Sequence, residues 1–269
     1  MTGGTSITAS ITAWLMPHLI LAPIALPLLT AGLMLLLREE RQRTKVTLNI
    51  TSTLVGLVVA VLLLVQAKEP SVQTSLGVYL PGNWPAPFGI VLVIDRLSAM
   101  MLVLTSTVAL ATVLFSAARW HRAGVHFHPL FQFQLMGLAG AFLTADLFNL
   151  FVFFEIMLAA SYGLLLHGSG RPRVSAGLHY IAINLAASSL FLIGVSMLYG
   201  ITGTLNMADL AQSIAGVAVA DRGLLHAAAA ILAVAFLIKA AVWPLNFWLV
   251  PAYSAVSYTH LTLPTTPYV

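Results

Sequence analysis

The stretch "AFLIKAAVWPLNFWLV", residues 235–250, sets a single lysine, Lys239, in an otherwise uncharged run. Toward the amino terminus the next acidic or basic residue is Arg222; toward the carboxyl terminus there is none. A run this apolar reads as a membrane helix, since a span needs about 20 mostly apolar residues. The charge within it needs a reason, because an ionised group at the bilayer centre costs about 2.5–3.5 kcal/mol on insertion scales. On a helix running to Val250, Lys239 lies about 16 Å from the end at 1.5 Å per residue, too far for its side chain to reach the interface.

The composition agrees. The 269 residues are 59% hydrophobic and 7% charged, with a mean hydropathy of +0.96. A soluble domain carries about 25% charged residues. So few charges cannot cover a water-exposed globule, and the chain reads as an integral membrane protein. There are no cysteines, which excludes disulfides, iron–sulfur clusters and thiolate metal sites on this chain. The net charge of +4 is spread over short loops and forms no basic patch for nucleic acid. Residues 1–17 hold no lysine or arginine, so they read as an external amino terminus before a retained span, not as a secretory signal.

Working outward, seven spans are expected: His18–Leu37, Val46–Gln66, Ile94–Ala117, Pro129–Thr144, Phe148–Leu166, Ser175–Tyr199 and Leu224–Val250. They are read as helices because a bilayer core leaves no other partner for backbone polar groups. Arg38, Arg41, Arg43, Lys45, Arg119, Arg122, Arg171 and Arg173 fall on one side, and Lys68, Arg96 and Arg222 on the other. The positive-inside rule then places the amino terminus outside the cytoplasm. Residues 68–93, rich in proline and glycine, are expected as an irregular external segment. Residues 204–216 read as a short amphipathic helix along the interface, capped by Asn206, with Leu210 and Ile214 facing one way. The end, 254–269, rich in threonine and proline, is expected to be irregular and foreign to the transmembrane domain of 18–253.

One other charge falls inside a span and away from its ends: Glu155, in "NLFVFFEIMLAASY". A static ion pair locking two helices would account for both residues; a proton relay is the default reading of intramembrane ionisable groups. At about 4 Å the two charges attract by about 4 kcal/mol at an effective dielectric of 20, and doubling the separation halves this. A modest movement could therefore switch Lys239 between holding and releasing a proton. Pro244 is expected to kink the helix, freeing the carbonyl of Ala240 beside the lysine, which is tolerated at membrane depth where it lines a cavity. The run "HAAAAILAVA", 226–235, permits close helix approach. His179 and His226 could extend a proton path or bond a neighbouring helix. Asp146 and Asn149 are explained by helix capping, with an external ion entrance at Asp146 as the alternative. His126 and His128, read as loop residues, are a weak metal pair, and no metal site is expected. Asp95 and Arg96 read as an interfacial anchor; Asn184, Ser188 and Ser189 read as helix–helix hydrogen-bonding residues.

These residues carry a resemblance. "FHPLFQFQLMGLAGAFLTADLFNLFVFFEIMLAASYGLLLHG", 127–168, resembles the fourth and fifth helices of the antiporter-like subunits shared by Mrp-type cation/proton antiporters and respiratory complex I. "PGNWPAPFGIVLVIDRLSAMM", 81–101, and "LYGITGTLNMADLA", 198–211, are similar to the D-type member of the Mrp antiporter subunits, and "FLIKAAVWPLNFWL" to the broken seventh helix of the superfamily. The resemblance implies an all-α polytopic fold forming the first half of an inverted repeat, truncated after about seven helices. It implies that Glu155 and Lys239 drive proton translocation, without a redox cofactor. It also implies other antiporter subunits as partners, in the bacterial inner membrane, exchanging sodium or potassium for protons. The second repeat of that family is mostly missing here, and "VSYTHLTLPTTPYV" departs from its pattern. Two alternatives stay open: a membrane component of a redox-driven pump of the complex I or membrane-hydrogenase kind, and a structural scaffold. No nucleotide loop or catalytic triad speaks for an enzyme.

Overall fold

The computed structural model describes residues 18–67, 77–85, 87–118, 124–168 and 170–254. The reading of 1–17 as an external terminus and of 255–269 as irregular lies outside these residues. The helices are α1 (Ala22–Leu36, entered through the single turn Leu19–Leu21), α2 (Gln42–Gln66), α3 (Arg96–Ala118), α4 (Phe127–Leu143), α5 (Leu147–Leu165), α6 (Arg171–Thr202), the short α7 (Met207–Ser213), α8 (Arg222–Lys239) and the short α9 (Leu249–Ser254). Among the described residues, six helices are long and apolar enough to cross a membrane: the first turn with α1, then α2, α3, α5, α6 and α8. The seventh, α4, has 17 residues, about 25 Å at 1.5 Å per residue, against an apolar core of about 30 Å. Large apolar side chains such as Leu29, Leu36 and Leu178 lie exposed on the helix surfaces, as lipid-facing positions do. The chain is an all-α, multi-pass membrane protein.

Two close approaches set the bundle. On α4, a side chain at Gly137 would place its Cβ 2.8 Å from the backbone nitrogen of Met157 on α5, and one at Gly140 would collide with the Phe153 ring. These glycines let α4 and α5 pack backbone to backbone. On α6, a Cβ at Gly194 would lie 2.6 Å from Leu232 and 3.2 Å from the carbonyl oxygen of Ala228, both on α8. Ala228 and Ala235 are fully buried, so the small-residue run does bring its helix close to a neighbour. Phe191, Val195 and Leu198 of α6 pack there with Leu210 of α7 and Leu232 of α8. A second core joins Ile24 of α1, Leu63 of α2, Leu102 of α3, Leu143 of α4 and Phe153 of α5.

The segment 68–93 departs from the expectation of an irregular loop. Its described part holds a strand β1 (Gly77–Tyr79) paired antiparallel with β2 (Leu92–Ile94), Gly77 opposite Ile94. Leu92 and Ile94 are buried and Val93 between them is half-buried, the period of two that makes a strand. The same end of the bundle is stitched by backbone bonds. Ala145 donates to Val91, Leu147 to Leu205, and Met207 to Ala145. Asp95 opens α3 through a reciprocal cap: the Ser98 N–H donates to Asp95 Oδ1 at 2.7 Å, and the Asp95 N–H donates to Ser98 Oγ at 2.9 Å. The Ser98 backbone N–H holds the Asp95 carboxyl below its ordinary range. Asn206 caps α7 as expected, accepting from Ala208 and Asp209. Leu210 is buried, whereas Ile214, expected on the same face, is 40% exposed because α7 ends at Ser213 and a tighter turn follows.

Lys45 is a further correction. It lies within α2, not in the loop before it, and its side chain is buried at 2% exposure. The helix starts at Gln42, so Lys45 already belongs to the inward face that continues through Asn49.

Candidate functional site: a charged pair at a broken helix

Lys239 is the last residue of α8, not the middle of a longer helix. The expected kink at Pro244 is instead a full stop several residues earlier. The Ala241 N–H donates to the carbonyl of Ile238 and the Val242 N–H to that of Leu237, with Ala241 in the left-handed region at φ 51°. This crossed pair is a Schellman ending. The Trp248 indole Nε1 also donates to the Ile238 carbonyl, at 2.9 Å. The stop therefore comes from local hydrogen bonds and a tryptophan folding back; Pro244 lies in the turn that follows, and the chain resumes helix at Leu249. The consequence for Lys239 is electrostatic. The carboxyl end of a helix carries partial negative charge, which favours a cation in its last turn.

Ala241 gives a test of this stop. A β-branched residue tolerates the left-handed region poorly, at a cost of about 1–3 kcal/mol. Ala241→Val is expected to lower the stability of the chain in lipid micelles by that amount, and Ala241→Gly to leave it unchanged or raise it. Equal unfolding midpoints for the two variants would count against the Schellman ending.

Glu155 stands mid-way along α5 and meets Lys239 from α8: Lys239 Nζ lies 4.0 Å from Glu155 Oε1, with the lysine side chain 9% and the glutamate 30% exposed. Ser188 of α6 stands between them. It donates to Glu155 Oε1 in a short hydrogen bond, and Lys239 Nζ donates to Ser188 Oγ at 3.0 Å. The ammonium also sits 5.5 Å from the centre of the Phe154 ring, within cation–π range. Phe154, Phe191 and Phe236 pack edge to face around this point. Beside the lysine opens a cavity of about 300 Å³ walled in part by Phe154, Tyr180, Asn184, Lys239 and Trp248. Three helices thus deliver acid, hydroxyl and amine to one point, with the hydroxyl bonded to both charged groups. The arrangement can hold a proton on the amine, pass hydrogen bonds through the serine, and respond to any change in the Glu155–Lys239 distance.

The other expected residues fall elsewhere. His226 is exposed near the start of α8, about 20 Å along the helix from Lys239, and His179 is exposed on α6, about 14 Å along the helix from Ser188. The structure does not bring either to the pair. Asp146 caps α5, accepting from the Asn149 N–H at 2.8 Å, and Asn149 Nδ2 donates to Thr144 Oγ1. His126 and His128 separate: His126 is exposed at the cap of α4, while His128 lies inside that helix, fully buried. Among the described residues no group of three or more His, Asp or Glu side chains could hold a metal ion. Ser188 was legible only as a hydrogen-bonding residue. The signal for more is the stripe Tyr180, Asn184, Ser188, each four residues apart and so on one face of α6. Trp248 and Ala241 carry no comparable signal.

Residues 144–263 match the family described as NADH:quinone oxidoreductase/Mrp antiporter, transmembrane. A probable K(+)/H(+) antiporter subunit of the D type, from Rhizobium meliloti, is 59% identical over 248 residues, 91% of this chain and 46% of that protein. A Na(+)/H(+) antiporter subunit of the same type, from Alkalihalophilus pseudofirmus, is 40% identical over 241 residues, 88% of this chain and 47% of that protein. The chain spans about half the length of the curated relatives it matches. In the solved Mrp complex from a Dietzia species, one chain superposes with a TM-score of 0.79 at 35% identity, over 88% of this chain and 44% of that one. The chain belongs to the antiporter-like membrane subunits shared by Mrp-type complexes and NADH:quinone oxidoreductase, and within them it is of the Mrp D type.

Proposed function

We propose that this chain works as the proton-translocating part of a sodium- or potassium/proton antiporter, with Lys239 carrying the proton and Glu155 setting how tightly it is held. The observation that carries the reading is the bridged pair: an amine at a helix end, 4.0 Å from a carboxylate, joined to it through Ser188 beside a cavity. At that distance the attraction is about 4 kcal/mol at an effective dielectric of 20, and it falls to half if the separation doubles. Loss of the pairing frees the lysine to give up its proton to the cavity, and renewed pairing lets it take one up. The relatives' names support potassium or sodium as the cation and other antiporter subunits as partners. The complex is proposed to sit in a bacterial inner membrane, and the distribution of basic residues favours an amino terminus outside the cytoplasm.

The test is a pH-sensitive dye in everted vesicles carrying the assembled complex, with sodium or potassium added to drive proton movement. Glu155→Gln is expected to abolish the response. Ser188→Ala removes a hydrogen bond to charged groups worth about 1.5–3 kcal/mol and is expected to slow it about tenfold or more. Unchanged transport in Glu155→Gln would overturn the reading and leave a static scaffold. A redox-driven pump is the second reading, favoured by the family description that the two kinds share. Copurification with flavin- or quinone-binding subunits would select it.

A further inference from the structure

Away from Glu155 and Lys239, the bundle of α1 to α4 encloses a second polar interior. On α2, Asn49, Ser52 and Thr53 share the buried face with Lys45, and His128 and Gln132, one turn apart on α4, are fully buried opposite them. Their hydrogen bonds form a chain. Thr30 of α1 donates to Ser52 Oγ at 2.9 Å, and Ser52 Oγ donates to Gln132 Oε1 at 3.4 Å. Gln132 Nε2 donates to Asn49 Oδ1 at 2.7 Å, and Asn49 Nδ2 faces His128 Nδ1 at 2.8 Å. Because Asn49 Oδ1 already accepts from Gln132, the Asn49 amide nitrogen is the donor and His128 Nδ1 the acceptor. The neutral ring then carries its proton on Nε2. At the other end lies a void of about 40 Å³ whose wall includes Ser52, Thr53, Thr105, Ser106 and Gln132. A water needs about 10–15 Å³ and two to four polar partners.

Hydrogen bonds of this kind can serve only to hold membrane helices together, at about 1–2 kcal/mol each. Such a role requires neither a titratable member nor polar side chains in the otherwise apolar wall of a void at the far end. We infer that His128 is a second proton-binding site of this protein, and that Asn49, Gln132 and Ser52 transmit its protonation state to water in the void between α1, α2, α3 and α4. The proton comes from the aqueous phase as hydronium and returns there as hydronium, binding and leaving Nδ1 while the Asn49 amide is turned away from the ring. It does not pass through the amides, which only reorient. With Nδ1 protonated the ring donates where it had accepted. The Asn49 amide must then turn over, so that Oδ1 accepts from the ring and Nδ2 donates to Gln132. Gln132 turns in the same sense and donates to Ser52, whose hydroxyl turns its own proton toward the void. One proton gained at the histidine thus reverses every bond between the ring and the serine.

The groups that bear on the ring are few. Lys45 lies one turn from Asn49 on α2. The Phe127 ring touches both His128 and His167, and Arg173 of α6 donates to the His167 carbonyl. His126 stands exposed at the N-cap position of α4, without a side-chain capping bond. Among the described residues α1 brings no titratable side chain, α2 brings Arg43 besides Lys45, α3 brings only Arg96, at its far end, and α5, packed along α4, brings Glu155 and Tyr162; Arg119, His121 and Arg122 lie outside them.

The test uses the full chain in lipid vesicles, labelled with nitrogen-15 on histidine rings and side-chain amides and read by solid-state NMR. His128 is assigned by its loss in His128→Gln. At alkaline pH the ring is expected to be protonated on Nε2 alone. Between about pH 8 and 5 it should gain a proton on Nδ1, and the Asn49 and Gln132 amide signals should move at the same midpoint. Gln132→Met should displace that midpoint by about one pH unit. If that variant does not fold, Ser52→Ala is measured against the same criterion. A ring protonated on Nδ1 at alkaline pH, a ring that stays neutral, or amides that do not follow it would each overturn the inference. Glu155→Gln is expected to leave the His128 response unchanged, so this site and the antiporter reading stand or fall separately.

Discussion

Lys239→Ala is expected to cut cation-driven proton movement in everted vesicles by about a hundredfold or more, the scale on which positioned acid–base groups act. The substitution removes the only amine within reach of Glu155 among the described residues, leaving Ser188 and the carboxylate without the proton carrier that borders the cavity. Lys239→Arg sharpens the result. Arginine keeps the positive charge and can still pair with Glu155, but it does not release its proton in a protein. A lysine that shuttles a proton predicts that Arg fails like Ala while the complex still assembles. A lysine that only locks α5 to α8 predicts that Arg restores function. Full transport with either substitution would end the role assigned to this residue.

Gly137→Val is expected to destabilise the chain by about 1–3 kcal/mol, the usual cost of overpacking a close contact. A single Cβ at this position already falls 2.8 Å from the Met157 nitrogen and 2.9 Å from its Cα. Backbone cannot rotate away as a side chain can, so α4 and α5 must separate. Met157 is two residues beyond Glu155, and separation of the helices shifts the carboxylate relative to Ser188 and Lys239. The unfolding midpoint in lipid micelles should fall and transport should weaken with it. Gly163→Ala provides the contrast. Its Cβ would meet only the tip of the Leu130 side chain at 2.7 Å, which can change rotamer, so the loss should be small. Equal losses at the two glycines would refute the backbone contact between α4 and α5.

Membrane residence, the positions of the apolar helices and the pair of charged candidates were legible in the chain because hydrocarbon penalises charge wherever it occurs, though of the seven expected spans only six are long enough to cross among the described residues. Seven charge-poor stretches of about the right length need no partner to be recognised, and Glu155 and Lys239 stand out within two of them for the same reason. Local signals with fixed spacing also read correctly: Asn206 ahead of α7, and Asp146 ahead of α5, are capping residues in the folded chain. The small-residue run before Lys239 correctly announced a close helix contact, though not that Gly194 of α6 would meet it.

Tertiary contacts decided the rest. Where α8 stops depends on Trp248 returning to the Ile238 carbonyl and on Ala241 accepting a left-handed turn, neither of which has a compositional signature. Pro244 drew attention to the right region and to the wrong atom. Ser188 became the link between acid and amine only because α5, α6 and α8 meet there. His128, two residues from the exposed His126, turned inward because α4 begins earlier than its apolar pattern announced. Hydropathy is a property of each residue summed along the chain, so it survives without a fold. The direction of a hydrogen bond, the end of a helix and the distance between two charges belong to pairs of residues far apart in sequence, and they come into being only when the helices pack.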